Sequence, residues 1–522
     1  MFYPLRSGGS SAPSLAQLDE LAQGGAGGGE EVLQDEAALK PGALFSNFLV
    51  FSVLYGITHA TVDGVLAFST AELGASVGSE GSSLLYFFYT FSALLLAKPA
   101  VRHLGAQRAV LAGLMGLLFY VTGFLTALYG GDGFYFVGAC IGGIGAGLLW
   151  TGQGSYYSIN ARAYAFSAGD ADSSAALATC ASFFAAIYLL IETCFKLFAT
   201  AMYLAKDKSS DWRPVVFGLY VAAALIAVVS FPIFVKDLAP SAGQQQQQQH
   251  LQVPPSVRAG TILVEVHREE NALRSESADQ EQREAELGST PTSSFFPWRD
   301  VSSVARALWS NRQLQLLMPY QVCFGLSSGF VSAYVTAKVV SPYLGDGYIG
   351  LMSALSTLTA FSLAWPYARL ATWYQHRGRW AVMMLGAACF LYTGLSVLCL
   401  SDEQMASWPF LVSYFCFYGA ARGTWESINK AVVAEYFGFD DRLKDSAFAA
   451  VYFTSGLSGS CGYLFYKFMS REVLASINTI VPLVAGYCFH LSHLRHLAAL
   501  PPSQDGAEPS QHRGLTSSMS IH

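Results

Sequence analysis

Apolar residues run along this chain in blocks long enough to cross a bilayer, whose hydrocarbon core takes about 20 helical residues. Twelve blocks separate from one another. Six lie at about 43–69, 82–98, 108–128, 133–157, 173–204 and 214–235, and six at about 313–340, 347–366, 380–400, 408–430, 445–467 and 474–496. This pattern predicts an all-α membrane protein with twelve transmembrane helices in two six-helix bundles, over 43–235 and 309–498. The polar stretches between and around them predict the rest. Residues 1–42 are rich in Gly, Ala, Ser and acids. Residues 236–308 carry a glutamine run, Gln244 to Gln249, and a charged stretch from Glu265 to Glu286. Residues 499–522 form a second polar tail. None of the three can bury enough apolar surface to fold alone, so two disordered tails and a polar linker are expected.

Composition agrees with the pattern. Of 522 residues, 52% are hydrophobic and 13% charged, against about 25% charged in soluble domains. The formal net charge of -6 argues against nucleic acid as a partner. No basic-then-apolar leader is visible at the start. All nine cysteines fall inside apolar blocks without a CxxC pair, which reads as small buried apolar groups and not as disulfides or metal ligands. Basic residues favour one set of short loops: Lys98, Arg102, Arg108, Arg162, Arg369, Arg377, Arg379, Lys430, Arg442 and Lys444, against Lys206, Lys208, Arg213 and Arg471 on the other side. By the positive-inside rule both tails and the linker are cytoplasmic. No Walker loop, dinucleotide fingerprint, zincin helix or nucleophile elbow occurs, so neither an enzyme nor a cofactor is expected.

The two halves echo each other. Pro99 to Arg102, with Arg108 opening the next helix, matches Pro366 to Arg369 with Arg379. Gly145 to Trp150 matches Gly419 to Trp425. Parallel six-helix repeats are the plan of the major facilitator superfamily. Leu84-Leu85-Tyr86, the stretch Val101 to Leu111, and Leu149-Trp150-Thr151-Gly152-Gln153-Gly154-Ser155-Tyr156 resemble the Unc-93-like family, a branch of that superfamily regulating ion channels. The resemblance covers about 43–200 well and 313–470 more weakly, through Gly419 to Gly423 and Ala447 to Ala449. Arg422 stands where that family often has an acid. The resemblance implies a link to a potassium channel, to potassium homeostasis or to membrane-protein trafficking. The alternative is a secondary transporter of a small solute or cation, worked by alternating access and open to proton coupling.

Candidate chemistry lies in charges set within apolar helices, each costing about 2.5–3.5 kcal/mol on insertion scales. His59 and Asp63 are four apart, as a proton-carrying pair or a structural one. Glu192 and Lys196 are four apart, as a self-neutralised pair or with Glu192 as a cation ligand. Arg422, Glu426 and Lys430 form a column with Asn429 beside it. Arg422 and Glu426 are placed to lock the halves together or to bind an anionic group, and Lys430 to snorkel to the cytoplasmic interface. Trp150, Gln153 and Tyr156 share a helix face, lining a pathway or making a tight helix contact. The glycines before them invite a neighbouring helix to approach closely. His490, His493 and His496 are spaced for a metal site or an interfacial cluster.

Overall fold

The computed structural model describes residues 41–167, 173–205, 211, 213–238, 298–373, 375–437 and 441–499. Most of the expected linker, and all but the innermost residues of the expected tails, lie outside these residues. Everything regular in them is helical. The first half comprises α1 (Pro41–Glu72), α2 (Ala75–Leu95), α3 (Ala97–Leu104), α4 (Ala106–Gly130), α5 (Gly133–Ser167), α6 (Ser173–Ala205) and α7 (Arg213–Phe234). A further helix, α8 (Trp298–Ser310), precedes the second half and falls within the stretch read as linker. The second half comprises α9 (Arg312–Phe330), which runs through π-helical turns at Val331–Val340 into α10 (Ser341–Leu344), then α11 (Gly347–Trp373) and α12 (Gln375–Cys399). The short α13 (Asp402–Met405) follows. Next, α14 (Trp408–Thr424) passes through π turns at Trp425–Asn429 into α15 (Lys430–Tyr436), and α16 (Asp441–Phe468) and α17 (Arg471–Ala499) complete the order.

Nine of these helices are long and apolar enough to span a membrane, and α2 with α3 makes a tenth, bent by 54°. The stretches expected as the tenth and eleventh spans are helical and of sufficient length, as the α14–α15 rod and as α16, but they are not among the helices apolar enough to qualify. They are too polar to read as spans by hydropathy alone. The first buries Arg422, Glu426 and Lys430, and the second carries Lys444 at one end and Lys467 at the other. Arg422, Glu426, Lys430 and Lys444 are tolerated because other helices cover them, and Lys467 stands exposed at the end of its helix. The stretch after the second span, expected as a loop, is instead the helix α3. Gly105 follows it with φ 83°, a left-handed conformation that glycine adopts without penalty.

The halves share one packing scheme. In the first, α1 packs on α6 and α7, α5 packs on α2 and α4, and α4 packs on α7. In the second, α9 packs on α16 and α17, α14 on α11 and α12, and α12 on α17. These are equivalent positions in each run of six, so the internal repeat is a structural one. The halves meet where α2 lies along α16 and α6 along α11. Ser83 and Ser460 hydroxyls are 3.1 Å apart across the first seam, and Thr193 and Thr357 hydroxyls 2.8 Å apart across the second.

Glycines set the closest contacts, as their run in α5 predicts. A Cβ on Gly147 would lie 2.5 Å from the Ala93 amide nitrogen of α2, and one on Gly145 2.8 Å from Gly116 Cα of α4. The start of α1 and the end of α17 share one face of the molecule. Asn47 accepts from the Lys236 amide after α7, Gln107 of α4 donates to the Val235 carbonyl, Lys98 of α3 donates to Ser446 of α16, and Gln313 of α9 donates to Ser492 of α17. The opposite face is tied by Arg213 to Glu72, Lys467 to Glu80 and Arg471 to Asp402.

Candidate functional site

Midway along the helices, side chains from both halves converge on one charged cluster. Lys196 of α6 donates to Asp63 of α1 at 2.5 Å and to Glu192, one turn before it, at 2.6 Å. Arg422 of α14 reaches across from the other half and holds both Glu192 oxygens at 2.7 Å. That forked geometry is the strongest form of carboxylate recognition. The same guanidinium lies 3.6 Å from Asp63 and 3.7 Å from Glu426. Glu426 accepts in turn from Lys430 at 3.1 Å. Three carboxylates and three bases therefore cancel. His59 Nδ1 lies 3.8 Å from Glu192 Oε2 without a hydrogen bond. Desolvating these charges is repaid only because each has a close partner.

Beside the cluster, aromatic rings enclose the Lys430 amine. It lies 4.5 Å from the Trp150 centroid, 5.3 Å from Phe184, 5.6 Å from Tyr188 and 5.6 Å from Trp425. Phe324 stacks on the outer face of Trp425 at 3.8 Å and fixes its plane. A cavity of about 120 Å³ adjoins the cluster. Its walls include His59, Asp63, Trp150, Arg422, Trp425 and Glu426. It extends toward the face opposite the chain ends, past Leu66, Thr336, Ile349 and Tyr463.

The candidate residues divide by position. His59, Asp63, Trp150, Lys196, Arg422 and Glu426 line the cavity, and Glu192 lies directly beneath them in the cluster. His59 and Asp63 do not form the pair that their spacing offers, because Lys196 takes Asp63. Glu192 and Lys196 do pair, but Arg422 makes that pair part of a cross-half network.

Lys430 does not snorkel. It is 4% exposed, because Glu426 and four ring faces compensate it where it stands. Tyr156 is not part of this cavity's wall. Its hydroxyl accepts from Asn47 at 2.7 Å and donates to the Lys236 carbonyl at 2.8 Å, tying α1 and α5 to the chain after α7. Gln153 is buried with its side-chain carbonyl unpartnered, away from the cavity walls. Asn429 pairs with Gln321, whose carbonyl also accepts from Trp425, so it supports the box from behind.

Of the histidines of α17, His490 and His493 border one surface pocket and His496 stands apart from them. His490 accepts from Trp380, and His496 stacks on Tyr436 beside Glu435. No cluster of potential metal ligands occurs among the described residues. Sequence reasoning missed Trp425, Phe184, Tyr188 and Gln321 as site residues. The echo between Gly145–Trp150 and Gly419–Trp425 was the available signal for Trp425. The two tryptophans meet with centroids 6.5 Å apart.

Two repeated six-helix bundles around a central polar cavity define a class, and solved structures of that class superpose on this chain. The xylose transporter XylE of E. coli covers 88% of this chain and 98% of its own, with a TM-score of 0.54 at 14% identity. The human organic anion transporter MFSD10 covers 86% and 99%, with 0.54 at 13%. A bacterial homologue of the human peptide transporters PepT1 and PepT2 covers 88% and 99%, with 0.52 at 13%. At such identities the likeness establishes the fold alone. The protein is a multi-pass membrane protein of the major facilitator superfamily fold. No curated protein matches it in sequence. The family described as ion channel regulatory protein UNC-93 matches residues 69–344, more than half of the chain, and the chain belongs to that family.

Proposed function

We propose that this protein is a non-catalytic regulator of an ion channel, with potassium the expected cation, acting through its membrane-embedded body. Family membership supports the regulatory reading. The carrying observation is the clamp itself. Arg422 of one half grips Glu192 of the other at 2.7 Å through both oxygens, with Lys196 closing the contact to Asp63. A body held this way presents a fixed lipid-facing surface to a membrane partner. This reading puts both chain ends in the cytoplasm. The shared face of the two described ends and the excess of Arg and Lys on that side support this.

A second reading is secondary transport of a small solute or cation, which the midplane cavity between the halves favours. One experiment separates the two. The purified protein is reconstituted in liposomes, and potassium, proton and solute flux are measured. The protein is then co-expressed with candidate potassium channels and currents are recorded. Channel regulation predicts no flux from the protein alone and an altered current. Flux from the protein alone, abolished by Asp63→Asn, would overturn regulation in favour of transport.

A further inference from the structure

The aromatic box around Lys430 has the construction of a receptor for an organic cation. Trp150, Phe184, Tyr188 and Trp425 turn ring faces or edges toward one ammonium group at 4.5 to 5.6 Å. Ring quadrupoles attract such a group most strongly where water is excluded, and Glu426 adds one carboxylate at 3.1 Å. Trp150, Trp425 and Glu426 also form part of the wall of the 120 Å³ cavity, so the box and the cavity adjoin. A lysine as the occupant is a tethered ligand. The chain immediately before it, Trp425–Asn429, is π-helical. Short π turns of that kind are rare and frequent at functional sites.

We propose that this box and cavity bind a small alkylammonium cation, and that Lys430 is the built-in competitor for the same place. Potassium is a poor fit. It sheds its water only for a ring of oxygens, and the box offers the place of the Lys430 amine four aromatic rings and one carboxylate, Glu426. This inference goes beyond channel regulation and does not depend on it, because binding is read on the purified protein with no channel present.

The test uses the full-length protein in detergent, titrated with tetramethylammonium chloride and, at equal ionic strength, with potassium chloride. Binding is read by calorimetry and by tryptophan fluorescence. The expected result is saturable binding of tetramethylammonium and none of potassium. Affinity should fall in the order Trp, Phe, Ala at position 150, with Trp150→Ala weaker by roughly tenfold or more. Lys430→Met should bind roughly tenfold more tightly than the natural chain, because the tethered amine no longer competes. If Lys430→Met does not fold, the position 150 series on the natural background decides alone. Equal responses to the two salts, or tetramethylammonium binding indifferent to Trp150→Ala, would overturn the proposal. So would no binding by the folded natural chain and the folded Lys430→Met variant.

Discussion

At the scale of single residues, charge and hydroxyl positions that look alike in the sequence do different work. Glu192 and Tyr156 both lie deep in apolar helices, yet one is a member of the cross-half cluster and the other a tie near the terminal face. The difference is measurable. Tyr156→Phe should lower stability by about 1–2 kcal/mol, since Asn47 and the Lys236 carbonyl each lose a partner. It should leave ligand binding in the cavity unchanged. Thermal unfolding in detergent checks the first, and a tetramethylammonium titration the second. A drop in binding as large as that of Trp150→Ala would place Tyr156 in the site after all.

At the scale of helices, the apolar blocks and their order were legible because twenty-residue hydrophobic runs have few other meanings. The close approach of α5 to its neighbours was legible in its glycines. It makes a sharp prediction: Gly147→Ala puts a Cβ at 2.5 Å from the Ala93 backbone and should cost about 1–3 kcal/mol. Gly218→Ala, inside α7 with nothing within 4 Å, should cost nothing and stabilise by up to about 1 kcal/mol. Unfolding midpoints of the two variants check this, and equal effects would refute the packing argument.

The pairings across helices were not legible. Spacing of four shows that Glu192 can meet Lys196. Nothing local shows that Arg422, 230 residues away, takes the same carboxylate. Phe184 and Tyr188 were invisible as site residues because aromatics in an apolar helix read as ordinary core. The polar tenth helix needed the fold to explain it, since burial by neighbours is what makes Arg422, Glu426 and Lys430 tolerable.

At the scale of the molecule, two repeats of one packing scheme meet along α2–α16 and α6–α11, and charges of both halves cancel at the centre. The UNC-93 family supplies the regulatory context, and the clamp supplies a physical reason for a rigid body. The clamp depends on coupling between Glu192 and Arg422. Removing one partner of a buried pair leaves the other uncompensated, at a cost of about 3–5 kcal/mol, whereas replacing both by apolar groups is often nearly neutral. The decisive measurement is a double-mutant cycle of unfolding free energy for Glu192→Met, Arg422→Met and the pair together. A clamp predicts that each single change is severe and that the double variant regains most of the loss, giving a coupling of at least about 2 kcal/mol. Single effects that simply add would contradict it.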